Sequence, residues 1–207
     1  MQIFEYAAVA LLGYLLGSIP TGYLAGRMRG LDIRAVGSGN IGATNVFRTL
    51  GKTAGIIVLA VDAFKGFAAC RLVPALFPGV PVENLRLVAG LAAILGHNYT
   101  CWLRFKGGKG IATSAGVLLG WMPWSLALVL GTWLLVFAIS RYASLASIAA
   151  ASLLPFACWW TGGSRRMVLI GTLVGALAIY KHRTNIRRLL NGTEHRFGAR
   201  NSSQPVA

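Results

Sequence analysis

The chain has 207 residues, 56% of them hydrophobic and only 12% charged. A soluble globular domain carries about 25% charged residues, so an ordinary soluble domain is excluded and an integral membrane protein is indicated. Twenty Lys and Arg oppose five Asp and Glu, a net charge of +15, but the basic residues sit in short loops between apolar runs. That is the positive-inside pattern and not a nucleic-acid surface, with some excess left for anionic substrates or lipid headgroups.

The first apolar stretch spans 3–24. It has no basic region before it and no clear cleavage site, so it reads as a retained helix. Glu5 lies at its start and Arg27 and Arg29 follow it, which places the N-terminus outside and the next loop in the cytoplasm. Pro20 and Gly22 loosen its inner end.

The loop that follows carries Gly37, Ser38, Gly39, Asn40, Ile41, Gly42, Ala43, Thr44 and Asn45, and then Arg48. Gly37, Gly39 and Gly42 spell G-x-G-x-x-G, but no strand precedes them and no acidic partner follows in a strand, so a dinucleotide fold is excluded. What remains is a glycine-rich backbone, uncharged hydrogen-bonding side chains, and flanking Arg34 and Arg48. That set suits an anion, a phosphate above all.

A second stretch, 53–77, returns outward and contains Asp62 and Lys65, three apart on one helical side. An ionisable residue inside a membrane segment is a functional candidate; the plainer reading is an ion pair that fixes helix packing. A turn at 78–81 leads to a third stretch, 85–103, with His97 near its inner end. As a lone histidine it reads as structural. Arg104, Phe105, Lys106, Gly107, Gly108, Lys109 and Gly110 form the next basic loop. Lys109 is followed by Gly110 where a Walker A loop needs Ser or Thr, so ATP hydrolysis is not indicated. Exposed backbone N–H groups, a lysine and a following helix N-terminus still favour an anion.

The run 111–139 has 29 residues, against the roughly 20 that one crossing needs. Met122 and Pro123 interrupt it. Two helices, a short one to Trp121 and a longer one from Trp124, put Arg141 in the cytoplasm. Stretches 143–160 and 167–180 follow, joined by a loop whose Arg165 and Arg166 break the charge pattern. The tail carries Arg183, Arg187, Arg188, Arg196 and Arg200. The expected fold is all-α, an integral membrane protein of about seven transmembrane helices, N-terminus outside and C-terminus cytoplasmic. Residues 1–200 form one membrane domain and 201–207 a disordered tail. Under this topology the polar stretches 37–48, 104–113, 140–147 and 181–194 share the cytoplasmic face.

Ser144 and Ser147 are three apart on one helix, as are His182 and Asn185. Small hydroxyls in membrane helices often bond their own backbone, and a basic helix after the last crossing also suits anionic lipid. Three dispersed histidines and few carboxylates offer no metal site. Cys70, Cys101 and Cys158 have no ligand spacing and read as buried small hydrophobes. No His is followed five positions later by Asp, and no G-x-S-x-G elbow occurs.

Taken together, Gly17-Ser18-Ile19-Pro20, the 37–45 motif with Arg48 and Gly51, Gly96-His97 with 105–113, Ser144–Ser147 and 182–194 resemble the PlsY family of bacterial membrane glycerol-3-phosphate acyltransferases. The resemblance covers nearly the whole chain in order. It implies transfer of a fatty acyl group from acyl-phosphate to the sn-1 hydroxyl of glycerol-3-phosphate, giving lysophosphatidic acid and phosphate in the first acylation of phospholipid synthesis. It implies no cofactor, no covalent intermediate on the protein, and a site facing the cytoplasm at the bacterial inner membrane. The catalytic residues it implies are Ser38, Arg48, Lys109, Ser147, His182 and Asn185. The phosphate-binding set is Gly37, Gly39, Asn40, Asn45, Lys106, Gly107, Gly108 and Gly110. Partners are the two substrates and membrane lipid; the oligomeric state is open, and a monomer is compatible. Two other readings stand beside it: a transporter or scramblase for phosphorylated solutes or lipids, and an acyltransferase that uses acyl-CoA.

Overall fold

The computed structural model describes residues Gln2–Gly198; the 201–207 tail expected to be disordered lies outside the described residues. Among the described residues the regular structure is entirely helical. Among the described residues three stretches are long and apolar enough to cross a membrane: Gln2–Arg27, Pro123–Ser140 and Ala143–Trp160. The chain gathers into two compact units, Met1–Leu126 and Ala127–Ala207.

The first unit contains α1 (Gln2–Ser18), α2 (Thr21–Arg27), α3 (Ala43–Leu50), α4 (Lys52–Arg71), α5 (Val82–Asn98), α6 (Ile111–Trp121) and the first turn of α7 (Pro123–Ser140). The expected first stretch is two helices, broken at Ile19–Pro20 because proline supplies no N–H. The stretch expected over 53–77 ends as α4 at Arg71, and Pro74 opens a 3-10 turn in its place. The stretch expected over 85–103 starts earlier, after Pro81, and stops at Asn98. The run 111–139 breaks as expected. Met122 leaves the helical region at φ −135° and ψ 66°, because the ring of Pro123 disfavours helical backbone before it.

Small residues let these helices meet at backbone distance, as membrane helix pairs require. Gly17 of α1 lies against Ala93 of α5, and Gly66 and Gly116 lie where α4 and α6 meet at Thr113 and Ala63. Apolar clusters pack beside these contacts. Val9, Leu85 and Ala89 centre one; Ile33, Ile41, Val46, Val58 and Leu103 form another, beneath the 31–42 loop.

The second unit contains the rest of α7, α8 (Ala143–Trp160), α9 (Arg165–Lys181) and α10 (Arg183–Leu190). Ser164 caps α9 by accepting from Met167 N–H. Gly175 of α9 approaches the Ala151 carbonyl of α8, one turn before Pro155. The missing proline N–H leaves that carbonyl without its helical donor.

Candidate functional site

The first glycine loop is organised by one buried side chain, Asn45, which is 2% exposed. Its Nδ2 donates to the carbonyls of Ile33 (3.1 Å), Val36 (3.1 Å) and Asn40 (2.9 Å). Its Oδ1 accepts the Ser38 N–H at 2.8 Å. Gly37 has φ +60°, and a Cβ there would run into Asn45 Oδ1, so glycine is required twice over. Asn40 Oδ1 accepts from Gly42 N–H at 2.8 Å. The two asparagines therefore build the loop, while Gly37, Ser38 and Gly39 form its exposed crest.

The two flanking arginines differ. Arg34 is committed to Asp32: its Nε donates to Oδ1 at 2.9 Å and its Nη2 to Oδ2 at 2.7 Å, while its guanidinium lies 4.8 Å from the Tyr23 ring centroid. Those bonds hold the Asp32 carboxyl down to about 2. Arg34 thus already faces a carboxylate beside the loop. Arg48 lies half-buried in the last turn of α3, within the same loop-and-helix element.

The second glycine loop sits on the C-terminal end of α5. Gly108 N–H donates to the His97 carbonyl at 2.9 Å and Gly107 N–H to the Asn98 carbonyl at 3.3 Å. The expectation of exposed amides fails for these two glycines, because the end of α5 leaves carbonyls that need donors. Arg104 and Phe105 both take left-handed backbone, at φ 53° and 60°. Phe105 N–H bonds the Thr100 carbonyl at 2.9 Å, and Thr100 Oγ1 donates to the Ser18 carbonyl at 2.6 Å. Left-handed non-glycine residues persist only where their surroundings impose them. Lys106 is exposed; Lys109 is half-buried and two residues ahead of α6, whose N-terminus favours negative charge.

In the second unit, Ser147 is 6% exposed and its hydroxyl is already engaged. It donates to the Ala143 carbonyl at 2.7 Å and accepts from Trp133 Nε1 at 3.1 Å. Donation to a substrate requires that hydroxyl to rotate. His182, 4% exposed, closes α9; its Nδ1 lies 2.8 Å from the Ala178 carbonyl. A carbonyl only accepts, so Nδ1 carries the proton and Nε2 is the nitrogen suited to face a hydroxyl.

Asn185 donates from Nδ2 to Glu194 Oε1 at 2.8 Å, and Ser144 Oγ reaches the same oxygen at 2.8 Å. Arg188 Nε binds Glu194 Oε2 at 2.7 Å. Burial pushes the Glu194 carboxyl up, but the bonds from Arg188, Asn185 and Ser144 outweigh it and hold the group below the usual carboxylate range. Glu194 builds this network although it is not among the residues expected at the site. Its signal was available: it is the one acid in a tail rich in arginine.

The structure thus brings Gly37–Asn45 and Arg48 into one element, seats 106–110 on α5, and joins Ser144, Asn185, Arg188 and Glu194 in one network. Residues 7–192 match the family described as glycerol-3-phosphate acyltransferase. A glycerol-3-phosphate acyltransferase of Desulforudis audaxviator (strain MP104C) is 52% identical over 190 residues, covering 91% of this chain and 94% of the relative. One from Sinorhizobium medicae (strain WSM419) is 48% identical over 192 residues, covering 92% of each. A crystal structure of PlsY (YgiH), an integral membrane glycerol 3-phosphate acyltransferase in its glycerol 3-phosphate form, superposes with a TM-score of 0.87. That protein is 40% identical, covering 93% of this chain and 96% of that one. Its lysophosphatidic acid form superposes with a TM-score of 0.84 at 39% identity, covering 93% and 95%. With apolar helices of spanning length and a match over most of its residues, the chain is a membrane protein and belongs to the glycerol-3-phosphate acyltransferase family.

Proposed function

We propose that this acyltransferase takes its acyl group from acyl-phosphate and delivers it to the sn-1 hydroxyl of glycerol-3-phosphate, with no covalent intermediate on the protein. The observation that carries the reading is the pair of glycine loops in the first unit, each with a cation close by in sequence, Arg48 in α3 and Lys109 before Gly110. Both substrates bear phosphate, and charge-assisted bonds are the strong ones. The glycerol 3-phosphate and lysophosphatidic acid forms of the PlsY relative fit a phosphorylated acceptor and product.

An acyl-phosphate is a mixed anhydride with an activated carbonyl. The glycerol hydroxyl oxygen attacks the acyl carbon, the bond from that carbon to the phosphate oxygen breaks, and inorganic phosphate leaves. A substrate phosphate oxygen takes the hydroxyl proton, so no strong protein base is needed. Catalysis then rests on proximity and on donors aimed at the developing oxyanion. Arg48 and Lys109 hold phosphate, Ser38 and Ser147 donate hydrogen bonds, and His182 and Asn185 position the glycerol end. The glycines of both loops, Asn40, Asn45 and Lys106 shape the phosphate sites. About seven helices cross the bacterial inner membrane, with the N-terminus outside and the chemistry on the cytoplasmic side.

A transporter would also want the intramembrane Asp62 and Lys65 for its own function. They instead bind each other at 2.8 Å, both 2% exposed, which suits packing. The deciding experiment is phosphate release from acyl-phosphate by the detergent-purified protein. Release that depends on added glycerol-3-phosphate supports the reading. Activity with acyl-CoA and none with acyl-phosphate overturns the donor assignment.

A further inference from the structure

Asp62, Lys65 and His97 have no part in the reaction as described, yet all three are buried in the first unit, at 2%, 2% and 4% exposure. Asp62 is their centre. Its Oδ1 accepts from Lys65 Nζ at 2.8 Å and from Thr21 Oγ1 at 3.1 Å, and His97 Nδ1 stands 3.6 Å away. Lys65 Nζ also donates to the Ile19 carbonyl at 2.8 Å, at the break between α1 and α2. A buried charge without its partner is strongly disfavoured. The carboxylate is therefore pinned from α2, α4 and the α1–α2 break.

His97 extends that fixed point to the second glycine loop. One side of its ring, Nδ1, faces Asp62. The other, Nε2, faces Gly108 so closely that a Cβ on residue 108 would overlap it. The main chain reinforces the contact, since the carbonyls of His97 and Asn98 take the N–H groups of Gly108 and Gly107. Gly110 continues the pattern: a Cβ there would lie 2.8 Å from Asn98 Oδ1.

We propose that His97, oriented by Asp62, is a positioning residue for Lys109. The imidazole is the floor of the Gly107–Gly110 loop and sets the height at which Lys109 leaves the backbone. The proposal rests on the reading of Lys109 as a phosphate-holding cation. An ion pair that only fastened α4 to its neighbours would explain Asp62 and Lys65. It would not explain why the ring's far side meets a glycine with no room for a methyl group.

The test is a double-mutant cycle on the detergent-purified protein with Gly108→Ala, His97→Ala and the two combined. In Gly108→Ala the added methyl strikes the ring and lifts the loop. The KM for glycerol-3-phosphate rises by about tenfold or more, with a smaller change in kcat, since small misplacements near a site are costly. In the double variant the ring is gone and the methyl has space, so the loss falls short of the product of the two single losses. Hydrogen exchange reads the loop directly: amides of 104–110 exchange faster in each single variant, while those of α4 and α5 keep their wild-type rates. Additive losses, or loop exchange that does not change in the single variants, overturn the proposal. If His97→Ala does not fold, Gly108→Ala alone decides by the same loop-exchange criterion. The underlying reading is tested apart from this by Lys109→Ala: an unchanged KM for glycerol-3-phosphate removes Lys109 from phosphate binding, whatever the loop exchange shows.

Discussion

Asn185 donates its side-chain N–H to Glu194 at 2.8 Å, joining α10 to the turn that follows it. The same carboxylate oxygen accepts from Ser144 on α8. Asn185 is therefore held by a partner that is not itself a candidate for the chemistry. In the proposed reaction its carbonyl oxygen Oδ1 is the end that accepts from the glycerol hydroxyls.

Glu194→Gln removes the charge from this network. Bonds to charged groups are worth roughly 1.5–3 kcal/mol each, so thermal unfolding in detergent shifts to lower temperature and activity falls through misplaced Asn185. The pH dependence has a fixed sign. The folded carboxyl lies below its ordinary value of 4.5, so its contribution is complete above pH 4.5 and is lost as pH falls through the lower folded value. Wild-type stability drops in that acid window, and Glu194→Gln lacks the step. An identical acid limb in both proteins overturns the assignment.

Asn45→Ala strips three carbonyls and one N–H of their partner at once. Each buried group left unsatisfied costs about 1–3 kcal/mol. Asn45→Asp is no rescue, because a carboxylate would face three carbonyls with no donor. Both variants should unfold at lower temperature and lose activity; wild-type melting of either one contradicts the scaffold role.

Arg48→Ala and Lys109→Ala are each expected to lower kcat/KM by about 10- to 150-fold, the equivalent of roughly 1.5–3 kcal/mol. Ser38→Ala removes a neutral donor and lowers it by about 2- to 10-fold. Steady-state kinetics with both substrates varied gives the ranking. An Arg48→Ala protein near full activity sinks the phosphate assignment for the first loop.

His182→Ala keeps the wild-type pH–rate profile and loses rate modestly if a substrate phosphate takes the proton. Loss of a limb with an apparent pKa in the histidine range, about 6.5, would instead make His182 the base.

Asp62→Asn leaves Lys65 buried without its counter-charge and destabilises the protein by about 3–5 kcal/mol. Asp62→Asn with Lys65→Met removes both charges and recovers much of that loss. Thermal melts of the three proteins measure the difference; a double variant no better than Asp62→Asn argues against a mutually neutralising pair.

The helical, membrane-embedded class was legible without coordinates, because apolar runs and the scarcity of charge are properties of the chain itself. So was the break at Met122, since a proline acts on the residue before it. The two loops were legible as motifs, because glycine spacing and flanking cations are local. Three features waited for the tertiary structure. Asn45 has the side chain of a ligand, and only the fold puts the carbonyls of Ile33, Val36 and Asn40 around it. Arg34 and Arg48 looked alike, and only the fold returned Arg34 to Asp32. Glu194 and His97 sit within motifs, but nothing local shows which groups their side chains face. Their partners, Ser144 and Gly108, lie 50 and 11 positions away along the chain, and contacts between distant positions come into being only when helices pack.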